Sequence, residues 1–133
     1  MRVMGHNLLA ILVAAILFYA IEFVMFAVVI PGEQYARMVG ISYDAAGDMS
    51  KMAYGVIMPI MAVIGISLVV KWRGAVGAAG GAVTAVLMGV LMAFSASLYG
   101  WVYGGNTADF IPVSFLHYVL CYGVAGAVLG AWK

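Results

Sequence analysis

Four stretches with little or no charge divide this sequence: Asn7 to Ile30, broken only by Glu22, then Met52 to Val70, Gly74 to Tyr103, and Phe110 to Trp132. Each reaches the roughly 20 apolar residues that a helix needs to cross the hydrocarbon of a bilayer. The pattern predicts an all-α fold, an integral membrane four-helix bundle that forms a single transmembrane domain over residues 1-133. Its helices should run over about 7-30, 52-70, 74-103 and 110-132, with one long outer loop over 31-51. Little chain remains for a soluble domain, and backbone groups at membrane depth must be bonded within their own helices. Four crossings return both termini to the same side.

Composition agrees. The chain is 67% hydrophobic and 8% charged, against roughly 25% charged in an ordinary soluble domain. The start MRVMGHNLL resembles a signal sequence, but its apolar run is about twice a usual h-region and lacks an A-x-A cleavage site. It is expected to stay as the first helix. The single cysteine, Cys121, excludes an intramolecular disulfide and any C-x-x-C motif. A net charge of +1 with no basic run gives nucleic-acid binding no support. Arg2, Lys71, Arg73 and Lys133 fall on the side of the termini, while Arg37 and Lys51 share the other side with Glu33, Asp44, Asp48 and Asp109. The excess of basic residues predicts cytoplasmic termini.

In the long link, PGEQYARMVG reads as a short interfacial helix stopped at Gly40, and Ser42 can cap a second turn leading into the next span. This link is the best candidate for a partner-binding surface. Asp109 is placed to cap the last helix, and Pro112 falls in its first turn, where the missing N–H costs nothing. Tyr99, Trp101, Tyr103 and Trp132 lie near the ends of apolar runs as interfacial anchors.

The third run carries small residues at every fourth position: Gly77, Gly81, Ala85, Gly89, Ala93 and Ser97. The last run ends with Gly126 and Gly130. Such ridges let helices approach closely, and close packing supplies much of the association energy in lipid. Four residues turn 400°, so the ridge drifts about 40° per step and its ends should face different neighbours. Toward the outer side the same helices carry Phe94, Tyr99 and Trp101 against Phe115, Tyr118 and Tyr122. They should touch closely inside and splay outside, leaving either an outward pocket or a wedge filled by the aromatic rings.

Glu22, in the segment FYAIEFVMF, is the one acid within a span. It lies eight residues in from Ile30, a depth of about 12 Å. Counting inward on the other helices brings Pro59 or Ile60, Ser95, and Tyr118 to Cys121 to that level, with His117 less than a turn above. Pro59 withdraws the donor for the Gly55 carbonyl, Ser95 can donate or accept, and His117 can hold or pass a proton. An ionised carboxylate here would be costly, so the expected states are neutral glutamic acid or an ion pair with His117. Such a layer of Glu22, Ser95, His117, Tyr118 and Cys121 is either a proton-handling or polar-ligand site, or a hydrogen bond that fixes helix register. His117 and Cys121 share a helix face and could form half of a soft-metal site, but no second histidine stands at that level. His6 falls at the opposite face, which excludes bis-histidine haem. No metal site or cofactor is predicted. No G-x-S-x-G, H-E-x-x-H, P-loop or dinucleotide fingerprint occurs, and Asp44 and Asp48 read as solvated loop carboxylates.

An asparagine opening the first helix (Asn7), an aromatic-rich end of that helix leading through PGEQYARMVGIS, and a last helix FLHYVLCYGVAGAVLGAWK resemble the small bacterial four-helix membrane proteins of domain-of-unknown-function family 1761. FYAIEF stands where that family usually has a Trp-Tyr pair. The resemblance implies a fold and a multi-pass place in the bacterial inner membrane, and no activity. With no catalytic residue identified, the sequence predicts an accessory, assembly or interaction subunit of a larger membrane complex or a homo-oligomer, with membrane lipids as its other partners. The alternative is a small transporter, or a protein that binds a lipid or other hydrophobic ligand at the layer around Glu22 and His117.

Overall fold

A computed structural model of the chain describes residues 2–3, 6–43 and 53–132. Four helices are long and apolar enough to cross a membrane: α1 (Leu8–Val29), α3 (Tyr54–Trp72), α4 (Gly77–Tyr103) and α5 (Phe110–Ala131). The short helix α2 (Gly32–Val39) follows α1. A two-residue antiparallel pairing, β1 (Arg2–Val3) with β2 (His6–Asn7), precedes α1 and is a detail that the apolar pattern gave no sign of.

Local chemistry sets the boundaries. The Asn7 side chain caps α1 by accepting from the backbone N–H groups of Leu9 and Ala10 at 3.2 and 3.4 Å. The last turns of α1, Val24–Val29, are wound as a π-helix, and Ile30 N–H closes them on the Met25 carbonyl at 3.0 Å. Helix α2 ends as expected at Gly40, which takes the left-handed conformation (φ 69°) while Ile41 N–H bonds back to the Ala36 carbonyl. A side chain at Gly40 would also collide with the Gly105 carbonyl, so the α4–α5 link packs directly on this turn. Gly74 (φ 66°) ends α3 in the same way, with Ala75 N–H bonded to Val70.

Two boundaries move from their expected places. Helix α3 runs to Trp72, so Lys71 sits in its last turn, where a cation suits the helix dipole, and α4 starts at Gly77 after an extended Val76. Asp109 stands at the start of α5 without capping it, because its own backbone is already helical (φ −62°, ψ −24°) and its side chain bonds no N–H there. Pro112 does fall in the first turn. The turn expected after Ser42, together with Asp44, Asp48, Lys51 and Lys133, lies outside the described residues.

Helix α5 is the axis of the bundle. It packs on α1, α3 and α4, and 44% of its most apolar window is buried, against 22 to 28% for the other three spans. Its register against α1 is antiparallel and regular. Glu22 meets His117, the Cys121 thiol points to the Phe18 carbonyl at 3.8 Å, and Asn7 donates to the Trp132 carbonyl at 3.4 Å. Each step of four along α1 is thus matched by a step of four back along α5, and Ala10 and Ala14 are buried in the core beside Ala125 and Leu129. The Asn7–Trp132 contact also places the start of α1 and the end of α5 at the same end of the bundle.

Against α4, helix α5 packs through glycine. An added Cβ at Gly81 would run into the Gly126 carbonyl, and one at Gly126 into Ala85 and the Gly81 carbonyl. The contacts thin toward the outer end, where Phe94 and Phe115 meet edge to face at 5.2 Å. Of the other α4 rings on that side, Tyr99 and Trp101 are exposed. Away from these seams Leu12, Ile16, Val28, Met58, Met61 and Leu91 are exposed, as required of a multi-pass protein whose solvent is lipid.

Candidate functional site

The buried face of α1 runs Ala10, Ala14, Phe18, and one further turn brings Glu22 to α5. There Glu22 Oε1 lies 3.1 Å from His117 Nε2. The His117 side chain is 10% exposed and that of Glu22 25%, so the ring is enclosed while the Glu22 side chain is only partly covered. The nitrogen facing the carboxylate either donates to it or accepts from its protonated form.

Aromatic rings frame the pair. Phe26 and Phe18 meet the imidazole edge-wise at centroid distances of 5.2 and 6.2 Å, and Tyr118 lies tilted at 4.9 Å. Helix α2 supplies Tyr35, which packs on Phe26 at 5.3 Å and on Phe110 at 6.4 Å and covers the outer side of the layer. Thr107 N–H bonds the Met38 carbonyl at 2.8 Å and ties α2 to the link before α5.

The expected layer is realised in part. Glu22 and His117 are brought together, and Tyr118 and Cys121 lie within electrostatic reach of Glu22. Cys121 itself is fully buried and packs as a small hydrophobe against α1. Ser95 goes elsewhere: it is exposed, and its hydroxyl donates to the Leu91 and Met92 carbonyls of its own helix. The π-helical turn at Gly89–Phe94 shifts the register of α4 ahead of it. Ser97, two residues on, is the α4 hydroxyl that meets Tyr118. Pro59 is buried in the first turn of the regular part of α3. A shallow hollow on outer α4, lined by Ser95, Leu98, Tyr99, Val102 and Tyr103, is confined to that helix and excludes Glu22.

The glycines of α4 and α5 differ in what surrounds them. Gly81, Gly89, Gly126 and Gly130 touch neighbours directly, Gly89 against Tyr122, whereas Gly77 opens α4 at φ 74° with free space where a Cβ would stand, and only its carbonyl meets Gly130. Among the described residues no group of His, Cys, Asp and Glu is placed to hold a metal ion. His6 is at the opposite end, 2.8 Å from the Ser67 hydroxyl on α3. A second polar contact there, Arg73 to the buried Thr84 at 2.7 Å, likewise has no acid in it.

Tyr35 is the site residue that inspection of the spans misses, because it enters from the loop. Burial, and then the nearby Glu22 charge, push its phenol above the ordinary value of 10.0. The folded protein therefore holds this proton where the unfolded chain releases it, and stability should fall as pH rises beyond 10.0. Thermal unfolding in detergent should show a shallower alkaline decline for Tyr35→Phe than for wild type. Identical declines would mean that Tyr35 is not buried over the pair.

Compared with family models, with curated proteins and with solved structures, the chain finds no match.

Proposed function

We propose that this is a small transporter or ligand-binding protein of the bilayer whose working centre is the Glu22–His117 pair. One observation carries the reading: an acid inside a span is bonded to a histidine and still keeps a quarter of its side chain exposed. A residue that served only to fix helix register would gain from complete enclosure, whereas one that exchanges a proton needs access. Ionisable groups inside spans mark ion and substrate pathways by default. The accessory- or assembly-subunit reading drew in part on the ridge of small residues on α4, of which Gly81 and Gly89 face α5 within the chain.

The finer placement belongs to the same proposal. Lys71 and Arg73 lie at the end of the bundle where α1 starts and α5 ends, which favours cytoplasmic termini by the positive-inside rule. Kinship with domain-of-unknown-function family 1761, and with it a bacterial inner membrane, rests on the sequence features given above.

Infrared difference spectra of the protein in lipid nanodiscs test the centre. A carboxyl band that responds to the pH of the medium is expected, and it should be missing in Glu22→Gln. A spectrum with no pH-responsive carboxyl band assigned to Glu22 would overturn the proposal.

A further inference from the structure

Among the described residues, no group that faces Glu22 is a permanent cation. Helix α5 presents His117, Tyr118 and Cys121, and α2 presents Tyr35. Glu33 and Arg37 of α2 are exposed at the surface. The titratable residues of α3, Tyr54 and Lys71, lie at its two ends, and Tyr99 and Tyr103 of α4 are exposed toward the outer end. Charge on Glu22 must therefore be matched by a proton or by something that arrives.

The surroundings say what could take the place of that proton. A hard inorganic cation asks for several oxygen ligands, and this layer offers one carboxylate among rings. Aromatic faces attract organic cations, most strongly where water is excluded. The rings of Phe26 and Tyr118 stand against His117 and that of Tyr35 packs on Phe26, while a quarter of the Glu22 side chain is exposed.

Building on the proposed function, we propose that Glu22 and the rings of Phe26, Tyr35 and Tyr118 form a binding site for a lipophilic monovalent organic cation of the quaternary onium or alkylammonium class, which displaces a proton from the Glu22–His117 pair. The charges balance. The pair with its one proton is neutral; when the cation binds, the carboxylate carries the negative charge, His117 is left neutral, and one proton leaves to water. The layer is uncharged before and after, so one cation exchanges for one proton.

The test uses the full chain in nanodiscs, with tetraphenylphosphonium as the probe and tetraphenylborate, of like shape and opposite charge, as the control. Titration calorimetry in buffers of different ionisation heat should show saturable tetraphenylphosphonium binding beyond that of empty nanodiscs and about one proton released per cation. Affinity should weaken by up to about tenfold per unit fall in pH, the mass-action limit of one-for-one exchange. Glu22→Gln should abolish the saturable phase, and Tyr35→Ala should weaken it about two- to fivefold. Proton release is read on the wild-type protein and needs no variant to fold. No saturable binding, equal binding of the borate, or binding without proton release would overturn the inference. If the Glu22 carboxyl band answers to pH and not to the cation, this inference fails and the proton-handling centre stands; if it answers to neither, both fail.

Discussion

Gly126→Ile is expected to remove the folded bundle, as loss of the cooperative unfolding transition in detergent. The first added carbon would already meet the Ala85 side chain and the Gly81 backbone. On the facing helix a Cβ at Gly81 would lie 2.8 Å from the Gly130 Cα. These neighbours are mostly backbone and cannot rotate aside, so relief requires α4 and α5 to separate. Overpacking a core with side chains that can adjust costs about 1–3 kcal/mol, and a clash with backbone should reach or exceed the top of that range. Against a total stability of roughly 5–15 kcal/mol, and with close packing the main source of helix association in lipid, that is a large share. Gly55→Ala and Gly80→Ala are the controls, since an added Cβ meets nothing within 4 Å at the first and only Ala75 at 3.8 Å or more at the second. Both should stay within about 0.5 kcal/mol of wild type or stabilise slightly. A wild-type transition in Gly126→Ile would show that the two glycine faces do not meet.

The four spans were legible because charge is costly in hydrocarbon, and the gaps in charge along the chain mark them directly. The Gly40 stop and the Asn7 cap were legible for a similar reason, since each rests on residues within a few positions. What escaped depends on register. Counting depth along straight helices put Ser95 in the layer, whereas a π-helical turn at Gly89–Phe94 in α4 leaves Ser95 facing out and brings Ser97 to Tyr118. The spacing of small residues announced close approach without saying whether the partner was inside or outside the chain, and the answer, α5, required its Gly126 and Gly130 to face the same way. Tyr35 was hidden for another reason: α2 is outside the membrane spans, and only the fold of the link returns it over Phe26 and Phe110.

At Glu22 the size of the mutational effect separates a neutral hydrogen bond from a charge pair. Glu22→Ala should cost about 1–3 kcal/mol, because it leaves the enclosed His117 Nε2 without its partner. Glu22→Gln keeps both the shape and a hydrogen-bonding group. If the pair is neutral, that change should cost less than about 1 kcal/mol, the scale of a single hydrogen bond between membrane helices. If the pair is ionised, Gln strands an imidazolium in an apolar layer, and the cost rises to about 3–5 kcal/mol unless the ring gives up its proton. The neutral form is expected, since a shared proton removes the need to hold two charges apart in a medium that stabilises neither. Unfolding of wild type, Glu22→Gln, His117→Gln and the double mutant closes a thermodynamic cycle that isolates the interaction between the two positions. A coupling under about 1 kcal/mol agrees with the neutral, exchangeable proton on which cation binding depends. A coupling of several kcal/mol would establish an ion pair whose proton sits on His117, and that proton could leave for an arriving cation only by breaking the pair.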